Sequence, residues 1–326
     1  MILAGDIGAT NTRLALFTKS DNGFEAFSES KFVSANFDGL ENIVENFLND
    51  NSQAVDCACF GVPGAVVGEV AKITNLPWIV DAKIIKNLLG HNKVGLVNDL
   101  EANAYGLNEL DDSCFEIINK GEPNIYGNSA IISAGTGLGE AGIHNEKGRL
   151  RPFATEGGHC DFAPRNELEI ELLRYLLTKF ERVSYERVVS GLGLRNIFDF
   201  LSDTKRAETP EWLTEEIAND EFGAVIAKNV DNSEICGQTL DIFVSLYGAE
   251  AGNLALKMLA TNGVFVGGGI APKILPKLKQ GVFLESFSAK GRFRELLEKT
   301  PLKVVLNDKA ALFGAAHYAY HEIGKL

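Results

Sequence analysis

Two glycine-rich turns lie between apolar runs that read as strands, and neither opens a helix. The first, Gly5-Asp6-Ile7-Gly8-Ala9-Thr10, follows Ile2-Leu3-Ala4 and leads into Arg13-Leu14-Ala15-Leu16-Phe17. The second, Gly135-Thr136-Gly137-Leu138-Gly139, follows Ala130-Ile131-Ile132-Ser133 and leads into Glu140-Ala141-Gly142-Ile143-His144. Strand, glycine turn, strand is the pattern of a β-hairpin tip. The two commonest glycine-rich phosphate binders, the dinucleotide fingerprint and the P-loop, run strand, loop, helix, and the P-loop adds a lysine. Neither turn here contains a lysine. Two hairpins whose backbone N–H groups face one ligand can hold a polyphosphate from two sides.

The chain of 326 residues has room for about two domains. Its 45% hydrophobic and 23% charged content is that of a globular protein with a core. A net charge of −13 without a basic block disfavours nucleic acid and anionic membrane partners. The N-terminus reaches Asp6 too soon for a signal peptide. No apolar run approaches the ~20 residues of a membrane span. The cysteines, Cys57, Cys59, Cys114, Cys160 and Cys236, are odd in number and scattered. Cys57 and Cys59 face the same way in an apolar strand, and no second pair completes a zinc site. They are expected as buried free thiols in a reducing cytoplasm.

Strand-like runs lie near 2–6, 13–18 and 24–33. A helix is expected over Leu40–Leu48 with Asp38 as its N-cap, then a strand over Ala54–Phe60 ended by Gly61-Val62-Pro63-Gly64. A helix over Asp81–Leu89, a strand over Val94–Val97 and a helix over Leu100–Leu107 follow. A three-strand meander followed by strand–helix alternation implies a mixed sheet. The polar stretch Glu109–Ser113 and Lys299-Thr300-Pro301 read as crossings between domains. Helical spacing dominates from about Glu167, and a long amphipathic stretch runs from Ser233 to about Ala260. Val264-Phe265-Val266 is a strand ending in Gly267-Gly268-Gly269. The last helix spans Lys309–Glu322.

Four constellations carry polar chemistry. Asp99, at the junction of a strand and a helix, suits an N-cap, and strand ends are also where α/β proteins bind ligands. Asn98 beside it doubles the polar density. Glu156-Gly157-Gly158-His159 lets the backbone approach a ligand closely or simply turn. Glu186-Arg187-Val188-Val189-Ser190-Gly191 reads, by itself, as a solvated helix start. Gly267-Gly268-Gly269 is bare enough for a flat ring to lie on, or is a strand-to-helix turn. His159-Cys160-Asp161 lacks a partner histidine for a metal. His317 and His321 stand four apart with no acid between them and read as ordinary helix-face residues.

In combination and order these pieces resemble the bacterial glucokinase family, of the actin-like sugar kinase and hexokinase superfamily. The matching segments are Gly5–Arg13, Thr74-Asn75-Leu76-Pro77-Trp78, Asn98-Asp99-Leu100-Glu101-Ala102, Gly135–Gly139, Glu156–Pro164 and Glu186–Gly191. They span nearly the whole length. Ala9 replaces a glycine usual in the family. The related repressor/kinase group carries a cysteine-rich zinc motif after its histidine, and none follows His159.

The resemblance implies an α/β, two-domain actin-like (ribonuclease H-like) ATPase fold with a cleft. A small domain would comprise 1–110 plus 301–326, and a large one 111–300. It implies glucose bound by Asn98, Asp99, Glu156, His159 and Glu186, with Asp99 the catalytic base. ATP would be held by Gly5, Asp6, Ile7, Gly8, Ala9, Thr10, Asn11, Gly135, Thr136, Gly137, Gly267, Gly268 and Gly269, with Asp6 positioning Mg²⁺. A homodimer in the cytoplasm is expected. A kinase for another hexose, a non-catalytic sugar sensor and an actin- or chaperone-like ATPase are the alternatives. The sensor would need a DNA-binding appendage, for which a first strand at residue 2 leaves no room.

Overall fold

The computed structural model describes residues 1–21, 23–73 and 76–325. Thr74 and Asn75 of the Thr74–Trp78 segment lie outside the described residues. The chain divides into two compact units. The first holds Met1–Cys114, Leu150–Ala154 and Asn307–Leu326, and the second holds Phe115–Arg149 and Thr155–Leu306.

The first unit is built on a five-stranded mixed sheet. Its strands are β1 (Ile2–Ile7), β2 (Asn11–Ser20), β3 (Gly23–Val33), β4 (Cys57–Val62) and, after a small side sheet, β8 (Val94–Asn98). The order is β3-β2-β1-β4-β8, antiparallel through the β1–β2–β3 meander and parallel from β1 through β4 to β8. The side sheet, which the sequence reading did not anticipate, joins β5 (Val66–Val67), β6 (Val70–Lys72) and β7 (Ile79–Asp81).

Alternation of side chains along each strand sorts the apolar residues onto two faces. Leu3, Ile7, Leu14, Leu16, Ala58 and Phe60 pack with Leu40, Ile43, Val44 and Phe47 of the helix Leu40–Asn49. Ile2, Ala4, Ala15, Phe17, Cys57 and Cys59 pack with Ala311, Leu312, Ala315 and Ala316 of the helix Ala310–Tyr318. The two cysteines thus share a face, as expected, and are buried free thiols, as is Cys236. Cys160 departs from that reading: it is exposed.

Several boundaries correct the sequence reading. Gly39, not Asp38, occupies the N-cap of Leu40–Asn49, and no side chain caps that helix. The strand β4 starts at Cys57 and continues through Gly61 and Val62, which had read as its terminating turn. The cap of the helix Asp99–Gly106 is Asn98, and Asp99 is the first helical residue. The last helix stops at Tyr318 and continues as one π turn, Ala319–Ile323.

The helices Asp99–Gly106 and Ala310–Tyr318 cross at small residues. A Cβ on Gly314 would collide with the Ala102 carbonyl oxygen, and one on Gly106 with that of Ala310. Backbone therefore lies on backbone, which fixes the helix that begins at Asp99.

The second unit carries β9 (Phe115–Asn119), β10 (Ser129–Ala134), β11 (Leu138–Glu146), β13 (Gly263–Gly267) and β14 (Leu302–Val305), in the order β11-β10-β13-β14-β9, and of β12 (Arg149–Thr155) only the two end residues. Its core gathers β10, β13 and β14 with the helices Glu167–Leu176, Gly191–Asp203 and Glu234–Met258. The last of these is not amphipathic as its sequence suggested. Ile235, Leu240, Phe243, Val244, Tyr247, Ala251 and Leu254 bury it around most of its circumference. Its Glu250 is buried too, paired with Lys257 at 3.1 Å.

Candidate active site

The first glycine turn joins two strands of a hairpin, with Asp6 opposite Arg13 and Ile7 opposite Thr12. The Gly8 N–H donates to the Asn11 carbonyl at 2.9 Å, closing the turn. Ser34 ties it from behind: its N–H donates to the Thr10 carbonyl at 3.1 Å and its hydroxyl to that of Gly8 at 2.7 Å. Gly5 has a packing reason for being glycine, since a Cβ there would collide with Phe60 and Leu14. The Ile7 side chain is in the core, Ala9 and Asn11 are partly exposed, and Thr10 is fully exposed. Any contact of Ile7 with a phosphate is therefore through backbone.

Burial pushes the Asp6 carboxyl up to about 6, against the opposing pull of Arg13. Arg13 gives its guanidinium hydrogen bond to Asp308, at 2.6 Å. A divalent cation would supply the compensating charge that Asp6 lacks, so the site fits one. A single carboxylate suits Mg²⁺, which keeps its waters and is held largely by substrate phosphates.

At the end of β8, the Asn98 Oδ1 accepts the N–H groups of Leu100 at 3.0 Å and Glu101 at 3.3 Å. Its Nδ2 donates to the Gly64 carbonyl at 3.2 Å. Asn98 is thus committed to the helix start and to the Pro63-Gly64 turn. Asp99, next to it and partly exposed, accepts the Leu100 N–H at 2.9 Å.

In the second unit the structure brings four separate sequence segments to one hairpin. The β10–β11 tip is closed by the Gly135 N–H on the Gly137 carbonyl, at 2.9 Å. Glu186 reaches it, accepting the Leu138 N–H at 3.1 Å through Oε2. A Cβ on Gly137 would sit 2.5 Å from that same oxygen. Glu186 is therefore no solvated helix start: it lies in a 3₁₀ turn, Tyr185–Arg187, aimed at the hairpin. His159 joins it, with Nδ1 4.0 Å from Glu186 and Nε2 3.9 Å from Glu156. Gly158 lets this turn close on β11, because a Cβ there would collide with the Leu138 carbonyl.

The glycine run after β13 also meets the hairpin. Gly268 has φ +83°, and a Cβ on it would collide with the Ala134 carbonyl. Gly267 is buried, whereas Gly268 and Gly269 are exposed. The Tyr247 hydroxyl braces the join, accepting the Ala134 N–H at 3.2 Å and lying 3.3 Å from the Gly267 carbonyl. Thr136 is exposed at the tip itself.

Sequence reasoning missed Ser34, Asp308 and Glu140. Glu140 is buried directly behind Gly157, whose Cβ would collide with its carboxylate. Burial and the neighbouring Glu250 push its carboxyl up to about 8, with Lys257 opposing. Only Glu140 had a sequence signal, an acid within the apolar run Leu138–Ile143.

The fold is that of the actin-like sugar kinases. The family model described as Glucokinase matches residues 3–322. A glucokinase of Nostoc punctiforme is 42% identical, over 97% of this chain and 98% of its own. The crystal structure of a glucokinase from an Antarctic psychrotroph superposes with a TM-score of 0.85 at 30% identity, covering 98% of both chains. A ROK family glucokinase from Streptomyces griseus, in complex with glucose and AMPPNP, shares the fold with a TM-score of 0.64 at 19% identity, covering 98% of this chain and 99% of its own. The chain belongs to the glucokinase family.

Proposed function

We infer that this chain transfers the γ-phosphoryl group of ATP to the 6-hydroxyl of glucose. The observation that carries the reading is the convergence of Glu156, His159 and Glu186 on the second glycine hairpin. A polyol has no charge to grip, so a cluster of acceptors and donors on a glycine-cut backbone is the chemistry that recognises it.

Asp99 accepts the proton of the 6-hydroxyl as the oxygen attacks phosphorus, which makes a poor nucleophile adequate. Glu156, His159 and Glu186 bind the sugar hydroxyls and orient it. Asn98 acts chiefly by holding the start of the helix that carries Asp99. The turns Gly5–Asn11, Gly135–Gly137 and Gly267–Gly269 hold ATP through backbone N–H groups. Asp6 orients a hydrated Mg²⁺, which neutralises charge on the phosphates when bound. The complex of the Streptomyces griseus protein with glucose and AMPPNP supports both ligands. The reaction opens glycolysis. The family resemblance supports a homodimer acting in the cytoplasm. Among the described residues, no helix is long and apolar enough to cross a membrane.

Coupled assay of glucose 6-phosphate formation across a hexose panel tests this. Glucose outpacing galactose strongly in kcat/KM, up to ~10⁴-fold, is the expected outcome, since an epimer leaves a polar group of the cluster without its hydroxyl partner. ATP consumption independent of hexose would overturn it.

A further inference from the structure

The last helix and its π turn present a cluster with no part in sugar phosphorylation. His317 and His321, which the sequence offers without an acid, meet Glu109 from the other end of the unit's chain. The His317 Nδ1 lies 2.6 Å from the Glu109 Oε1. The two imidazole centroids are 4.5 Å apart. One ligand atom from each of the three residues falls within 4.8 Å of the others. Among the described residues this is the sole such group of three.

We propose that Glu109, His317 and His321 bind a borderline transition-metal ion of the Zn²⁺ class. Two imidazoles and one carboxylate form a three-ligand set that leaves a fourth tetrahedral position to water. The ion takes the place of the hydrogen bond between His317 and Glu109, and His321 closes in from the next turn.

The surroundings favour this occupant. The side chains of Glu109 and His317 are 13% and 18% exposed, which limits competition from solvent. The Tyr105 ring stacks on His317 with centroids 5.6 Å apart, and Phe24 and Tyr320 meet His321 edge-on. The rings are therefore held in place before an ion arrives. Lys19 and Lys325 act on His321 from nearby and repel a cation, so a hard ion with weak imidazole bonds, such as Mg²⁺, gains too little here. Zn²⁺ or a neighbouring ion of strong imidazole affinity gains enough. A π turn is a common signature of a functional position within a helix.

Calorimetric titration of the full chain with Zn²⁺ against a weak competing chelator is the test. The wild type is expected to bind about one equivalent at micromolar affinity or better, undisturbed by millimolar Mg²⁺. His321→Asn and Glu109→Gln are each expected to weaken binding by ~10-fold or more, the range seen when groups supporting a metal are removed. Thermal melting confirms that both variants are folded, and His321→Asn keeps the wild-type kcat in zinc-free MgATP assays. Equal Zn²⁺ affinity in the wild type and both variants, or binding abolished by Cys160→Ser instead, would overturn the proposal. So would an absence of heat at micromolar Zn²⁺.

Discussion

Replacing Asp99 with Asn separates two roles that the sequence alone leaves tied. The helix cap belongs to Asn98, whose Oδ1 accepts two N–H groups. Asp99 is the first helical residue, and its Oδ1 accepts the Leu100 N–H at 2.9 Å. Asn retains an Oδ1 for that bond. The stability lost is that of a negative charge at a helix N-terminus, about 0.3–1 kcal/mol. For a unit of this size a loss of about 1 kcal/mol lowers Tm by roughly 2–4 °C. Loss of a general base acts on another scale, ~10²–10⁴-fold in kcat. That range corresponds to about 3–5 kcal/mol of barrier, at roughly 1.36 kcal/mol per tenfold. Steady-state kinetics with a coupled dehydrogenase, glucose-binding calorimetry and a melting curve read the three quantities separately. Asp99→Asn should lower kcat by ~10²–10⁴-fold with Tm and glucose affinity nearly unchanged. Asn98→Ala should do the reverse in kind, losing about 0.5–2 kcal/mol of cap stability while leaving the carboxylate in place. A folded Asp99→Asn protein with kcat within tenfold of wild type would refute the assignment and leave Glu156 as the next candidate.

Glu140→Gln should flatten the dependence of stability on pH. The folded Glu140 carboxyl, at about 8 against an ordinary 4.5, holds a proton that the unfolded chain releases. Its stabilisation is complete below 4.5 and lost as pH rises toward 8, so the wild-type Tm should fall over that window more steeply than that of Glu140→Gln. Parallel Tm curves would count against it. Gly158→Ala should raise KM for glucose at least ~10-fold, because a Cβ overlapping the Leu138 carbonyl forces the His159 turn off the hairpin. Unchanged kinetics would mean the turn is not part of the sugar site. Asp6→Ala should cut phosphoryl transfer and leave glucose affinity within a few fold, as calorimetry can check. Abolished glucose binding would show that the first turn had been given the wrong ligand.

Both hairpins were legible because each is specified locally, by apolar runs flanking a glycine turn. The meander and the mixed sheet followed from the same signals. The Asn98–Asp99 assignment slipped by one residue for an equally local reason. Both side chains can cap, and the choice depends on where β8 ends. Asn98 still has an extended backbone, at φ −60° and ψ 146°, and so takes the cap. The long helix departs from the amphipathic reading because its polar residues do not mark a solvent face. Glu250 is instead satisfied internally by Lys257, and Ser245 hydrogen-bonds to Arg165. Glu109 and His317 are 208 positions apart. No pattern of spacing announces such a pair, which exists only once the helices Asp99–Gly106 and Ala310–Tyr318 cross. Ser34 and Asp308 were missed for the same reason: each acts on the first turn from a distant segment.

Three glycines from three distant segments share one explanation. Gly137 leaves room for the Glu186 carboxylate, Gly158 for the Leu138 carbonyl and Gly268 for the Ala134 carbonyl. All three partners converge on the single β10–β11 hairpin. Gly268 and its exposed neighbour Gly269 belong to the proposed nucleotide side, whereas Gly158 serves the proposed sugar side. Glu186 bridges the two, because one oxygen accepts the hairpin's Leu138 N–H while the other faces His159. A phosphate site without a lysine depends on where its N–H groups point, and here the N–H of Leu138, next to the proposed phosphate turn, is held by Glu186 of the proposed sugar cluster. The bareness of these turns is therefore a packing requirement as well as a proposed binding one. On the proposed roles, a carboxylate of the sugar cluster braces the hairpin whose tip would receive the nucleotide.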